Sequence, residues 1–211
     1  IISFCVINAE SSDFGTTGLI DTPTARMLND GDFKASLSFQ KIANIYNSTY
    51  QATPWLETTF RYTIFNPDNP VRNSKHIDGL NDRSYAVKVK LFNEGKYLPQ
   101  LALGIQDVLG TGALSSEYIV ASKQINQFDF SVGLGWGRLA ERDSLRNPFG
   151  LVNNHFKERG SGGGVRGGES RFSSFFTGKD VGLFGGFSYR LPKYNLTFLA
   201  DYNSDAYERE I

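Results

Sequence analysis

The sequence predicts an all-β chain: an antiparallel up-and-down transmembrane β-barrel of about nine strands, incomplete in this stretch. Three observations lead there. Apolar and polar residues alternate with a period of two from residue 32 onward. The connections between alternating stretches are short on one side and mostly long on the other. Aromatic residues, 14% of the 211, gather at the ends of the apolar faces. Mean hydropathy is −0.32, and no run approaches the roughly 18 apolar residues of a spanning helix. A helical membrane protein is thereby excluded. One built of strands is not, because barrel strands give every second residue to a polar side.

The elements follow in order. Residues 1–9, IISFCVINA, read as the remnant of a secretory signal cut after Ala9. A lipoprotein cysteine at Cys5 is disfavoured, since IISF before it lacks small residues. Residues 10–31 form a periplasmic amino-terminal segment, and 32–211 the barrel strands. In DFKASLSFQ, Phe33, Ala35, Leu37 and Phe39 share one face. In WLETTFRYTIF, Phe60, Tyr62 and Ile64 oppose Glu57, Thr59 and Arg61. RSYAVKVKLF opposes Tyr85, Val87 and Val89 to Lys88 and Lys90. PQLALGIQ, QFDFSVGLGWG, DVGLFGGFSYRL and YNLTFLADYN alternate likewise, and weaker strands fit near 45–52 and 115–124. Successive side chains of a strand point to opposite faces, so each stretch has one apolar and one polar side. Trp55, Tyr85, Trp136, Tyr189, Tyr194 and Tyr202 suit a membrane–water interface.

A soluble sandwich would alternate too, with its apolar faces meeting in a core. The loops separate the two readings. Turns at 53–54, 93–96, 125–126 and 192–193 are brief, whereas 66–81 and above all 139–179 are long. Brief periplasmic turns opposite larger external loops are the form of an outer-membrane barrel. An odd strand number leaves an open edge, which lipid does not tolerate, so further strands are expected beyond Ile211.

The chemistry-bearing residues are few. Lys+Arg and Asp+Glu both number 22, which gives no basic face for nucleic acid. With one Cys and two His, neither a metal site nor a cofactor is expected. His76 and His155 fall in the long loops, and a rim enzyme built on His155 with Asn153, Asn154, Ser144 and Asp143 is the weakest reading. The stretch RGSGGGVRGGES, 159–170, has no following helix or Lys-Ser pair and reads as loop, not as a phosphate cradle. The expected lumen-facing polar residues are Lys34, Glu57, Arg61, Lys88, Lys90, Glu117, Lys123, Asp129, Arg190 and Asp201. They make either a polar groove for a hydrophilic chain such as a sugar polymer, or paired charges that hold the barrel. Gly133, Gly135, Gly182 and Gly186 on the polar faces leave room for a plug.

Four pieces carry a family resemblance. GTTGLIDTPTARMLNDGDF at 15–33, PWLETTFRYT at 54–63, FTGKDVGLFGGFSYRLP at 176–192 and DYNSDAYERE at 201–210 resemble YjbH-type exopolysaccharide biosynthesis proteins of the bacterial outer membrane. The resemblance implies a non-catalytic barrel in that membrane, with outer-membrane lipid, exopolysaccharide and other envelope secretion proteins as partners. It implies no catalytic motif. A general small-solute channel is the alternative.

Overall fold

Strands form where the alternation runs. The computed structural model describes residues 11–39, 43–65, 81–110, 112, 114–160 and 172–206. Its strands are β1 (Phe33–Phe39), β2 (Ala43–Thr53), β3 (Leu56–Phe65), β4 (Asn81–Phe92), β5 (Gln100–Gln106), β6 (Ser116–Ile125), β7 (Phe128–Gly137), β8 (Leu145–Arg146), β9 (Asp180–Leu191) and β10 (Leu196–Tyr202). They make one antiparallel sheet in the order β1-β2-β3-β4-β5-β6-β7-β9-β10, with β8 paired to β9. The strand that the sequence did not predict is β8. Two residues are too few to show a period, and they lie within the stretch expected to be loop. Residues 1–9, most of 66–81, and the Gly-rich 161–171 fall outside the described residues.

The sheet is inside out by the standard of a soluble sandwich. Glu57 and Lys88 are 1% and 0% exposed, while Phe60, Phe130 and Phe198 are 36%, 42% and 51% exposed. Cross-strand register keeps the faces separate. Glu57 opposes Lys88, Lys88 opposes Gly104, and Gly104 opposes Tyr118. On the other side Phe130 opposes Phe187, and Phe198 opposes Tyr189. The outward rings touch one another: Phe128 stacks on Tyr189 at 4.4 Å and on Phe130 at 5.5 Å.

Residues 11–28 cover the polar face, and their bonds show that the sheet is curled. Seven strand spacings separate β2 from β10, about 34 Å in a flat sheet. Yet the Asn47 amide on β2 donates to Asp13 O (3.2 Å), Asp13 N–H donates to Ile20 O (2.8 Å), and Ile20 N–H donates to Asp201 on β10 (3.2 Å). That relay reaches roughly 20 Å at full stretch. The wall must therefore bend around the segment. It is curled but not closed, since among the described residues no ladder joins β1 to β10.

A small apolar cluster lies within: Ala25, Ala102, Tyr118, Val120, Leu139 and Phe184. The inward glycines are where these groups enter. A side chain at Gly186 would meet Leu19, one at Gly133 would meet Phe184, and one at Gly135 would meet Leu139.

Candidate functional site

The polar interior is built from the inner segment outward. Its chain is rich in small hydroxyl residues and turns, with Gly15 at φ 84°, a left-handed conformation that glycine adopts without strain. Thr17 meets Glu57 twice, through N–H to Oε1 (2.9 Å) and Oγ1 to Oε2 (2.5 Å). Lys88 Nζ lies 3.0 Å from Glu57 Oε1 and donates to Thr17 O (3.0 Å) and Arg26 O (2.7 Å). Burying two charges is costly unless their remaining donors and acceptors are satisfied. Here the segment's backbone satisfies them. Asp201 on β10 accepts from three consecutive N–H groups, Ile20 (3.2 Å), Asp21 (2.9 Å) and Thr22 (3.0 Å), and from the Thr22 hydroxyl (3.0 Å), all through Oδ2. Consecutive backbone amides make a small anion nest. Ser122 accepts Ala25 N–H (2.8 Å), Gln100 donates to Ala25 O (2.5 Å), and Thr49 donates to Gly15 O (2.7 Å).

At the short-turn rim the segment ends in a second charge network. Arg26 grips Asp129 with Nε and Nη2, each at 2.7 Å, and Glu94 with Nη1 at 2.7 Å. Lys123 joins Glu94 from the other side at 2.9 Å. Burial works against the Arg26 charge, but Asp129 and then Glu94 outweigh it and hold its pKa above the ordinary value. Burial also pushes Glu94 upward, yet Lys123 and Arg26 keep its carboxyl below the usual range.

At the long-loop end Phe14 lies under two guanidinium groups, Arg61 at 4.5 Å and Arg138 at 3.7 Å from the ring centroid. Arg61 pairs with Asp82 at 3.5 Å and Arg138 with Asp205. Nearby Asp107, in the left-handed region at φ 61°, is pushed up to about 6 by burial and by Asp82.

Two residues expected inside are not there. Glu117 opposes Trp136, and Lys123 opposes Phe130, so both belong to the outward face. In β6 the inward residues are Ser116, Tyr118, Val120, Ser122 and Gln124. Apolar residues fall on both of its sides, so its polarity pattern could not fix which side is which. Glu117 is nonetheless fully buried, because the long loop folds over it. Arg159 holds it bidentately at 2.8 Å per bond, and Phe176 N–H donates at 2.9 Å. Trp136 is covered likewise, stacked on Phe149 at 5.4 Å with Phe176 edge-on at 5.1 Å. Of the remaining predicted residues, Lys34 and Lys90 are half-buried on the inward face and Arg190 is exposed near the short-turn end.

His76 lies outside the described residues. His155 is exposed, and its ring meets Phe156 at 5.5 Å. Among the described residues no three of His, Cys, Asp and Glu gather as metal ligands, and no helix is long and apolar enough to cross a membrane. Nothing local in the sequence marks Arg26, Thr17 or Ser122 as interior contacts. The density of Thr, Gly, Asp and Pro in GTTGLIDTPTAR was the available signal, since such a chain saturates polar walls without adding apolar bulk.

Residues 10–211 match the YjbH family, described as "Exopolysaccharide biosynthesis protein YbjH". The chain is 34% identical over 217 aligned positions to the uncharacterized lipoprotein YjbH of Escherichia coli K12, covering 97% of this chain and 29% of that protein. The chain thus spans under a third of the relative's length. No solved structure matches.

Proposed function

The chain belongs to the YjbH exopolysaccharide biosynthesis family, and we propose that it forms part of a non-catalytic β-barrel wall in the bacterial outer membrane that assists polysaccharide export. The inverted burial carries this reading. A sandwich hides its aromatic faces from water, whereas here Phe60, Phe130 and Phe198 stay uncovered around a charged interior. Exposed rings on that scale need an apolar surrounding, and the lipid bilayer supplies one. The inner segment lies along the polar face and bonds to it from β2 to β10, which weighs against a plain solute channel through this part of the wall. The polar interior serves as internal scaffold, and the long loop is the surface left to meet glycan.

The relative's designation as a lipoprotein gives Cys5 renewed interest as an acylated residue, although Phe4 is bulky for the position before such a cysteine. Mass spectrometry of the mature amino terminus distinguishes a lipid on Cys5 from a cut after Ala9.

The main test uses the full-length protein. Phe130→Trp, reconstituted in vesicles containing brominated lipid, should lose most of its added fluorescence. A signal insensitive to bromolipid would remove the barrel assignment. Deletion of the gene should reduce extracellular polysaccharide while cell-associated polymer persists or accumulates. Equal loss of both would place the protein in synthesis instead of export.

A further inference from the structure

The long loop carries a cleft that the wall does not use. Its cavity is about 730 Å³ and is lined by Arg146, Lys157 and Lys179 with Asn147, Asn153 and Asn154. All three cations are exposed, no carboxylate lines the cleft, and none of the three has an ion-pair partner among the described residues. Lys88, Arg61, Arg138, Arg26, Lys123 and Arg159 each pair with a carboxylate, whereas the three cations of the cleft share a lining that holds none.

The cleft is also a built one. Buried Asn147 donates through its amide to three carbonyls, those of Phe156 (3.1 Å), Phe176 (3.1 Å) and Gly178 (2.9 Å). Its backbone N–H donates to Lys179 O (2.9 Å), one step beyond the ladder in which Arg146 opposes Asp180, so Lys179 and Arg146 reach the cleft from diagonal positions while Asp180 stays out of its lining. A side chain at Gly150 would stand 3.2 Å from Lys157 Cγ, so the bare backbone there lets the lysine stem lie across the turn. Behind this Phe156 tilts against Phe149, which stacks on Trp136. The loop is thus held to the wall, and its cations are presented by hydrogen-bonded backbone. The exposed Asn153 and Asn154 amides beside them suit hydroxyl groups, and cations suit acidic groups.

We infer that this cleft binds a sugar bearing a carboxylate or phosphate. This rests on the reading that the long loop faces outward and meets glycan. The shared chemistry has two sources: an acidic residue of the exported chain, or the phosphorylated sugar of an outer-leaflet lipid. The test measures binding of full-length protein in detergent to three probes: an oligogalacturonate, an uncharged dextran oligomer of matched length, and lipopolysaccharide. Oligogalacturonate or lipopolysaccharide should bind at least tenfold more tightly than dextran, with affinity falling as salt rises. R146Q/K157Q/K179Q should remove that preference, and because these side chains are exposed the variant should keep wild-type thermal stability. The probe that loses more affinity identifies the source. Equal binding of acidic and neutral probes, or an unaltered preference in the triple variant, overturns the inference. Neither outcome depends on export, so a failed cleft and a failed export role give different results.

Discussion

The inner segment is clamped at two places by the same chemistry in different surroundings. At Thr17 the Glu57–Lys88 pair is sealed from water, and both charges are completed by backbone groups of the segment. At Arg26 the pairs with Asp129 and Glu94 are about a quarter exposed. Coulomb attraction is far stronger in the dry site, but so is the cost of leaving either charge alone. The deep clamp therefore dictates one arrangement, whereas the rim clamp adjusts to salt.

Breaking the deep clamp should have the largest effect. Glu57→Ala strands Lys88 and should cost about 3–5 kcal/mol, read as a lowered denaturant midpoint, while Glu57→Leu combined with Lys88→Met should cost much less. If the single and double variants lose the same amount, the pair is not the determinant. Asp201→Ala takes the acceptor from four donors at the β10 side and should cost about 3 kcal/mol. Proteolysis should then cut within 11–28 before the strands, and cleavage in the loops first would show that the segment is held without Asp201.

Asp107 sharpens the contrast through pH. Its carboxyl is raised to about 6 by burial and by Asp82, so the folded state holds that proton more tightly than the unfolded one. Stability should decline as pH rises from about 4 to 6. Asp107→Asn should flatten that decline and gain about 1–2 kcal/mol at pH 7; a variant with the wild-type pH profile would exclude this group as its source. The smallest effect belongs to the rim. Arg26→Ala should cost about 1 kcal/mol or less, and the difference from wild type should shrink in 0.5 M salt. A loss as large as that of Glu57→Ala would erase the distinction between the clamps.

Much of the wall was legible because a strand's period is short and its faces are chemically opposed. Phe33 to Phe39 and Glu57 to Thr63 announce their sides residue by residue. Polarity misleads in β6, where Tyr118 and Val120 join an interior apolar cluster while Ile119 and Ala121 face out with Glu117 and Lys123. The inner segment has no period at all. Its structure comes from partners far along the chain: Thr17 from Glu57, Thr22 from Asp201. Gly186 leaves room, but nothing local says that Leu19 enters it. The cleft was invisible for the same reason, since Arg146 and Lys179 become neighbours only when β8 pairs with β9.

The bond between Thr22 and Asp201 joins positions 179 residues apart. The segment precedes β1, yet this anchor exists only once β1 to β9 have been synthesised. Such distant contacts close late, because loop closure must precede their reward. Until then its amides have to be kept from other partners. The winding of the wall and the seating of its spindle are therefore one event, and a chain stalled before β10 would carry an unfastened core.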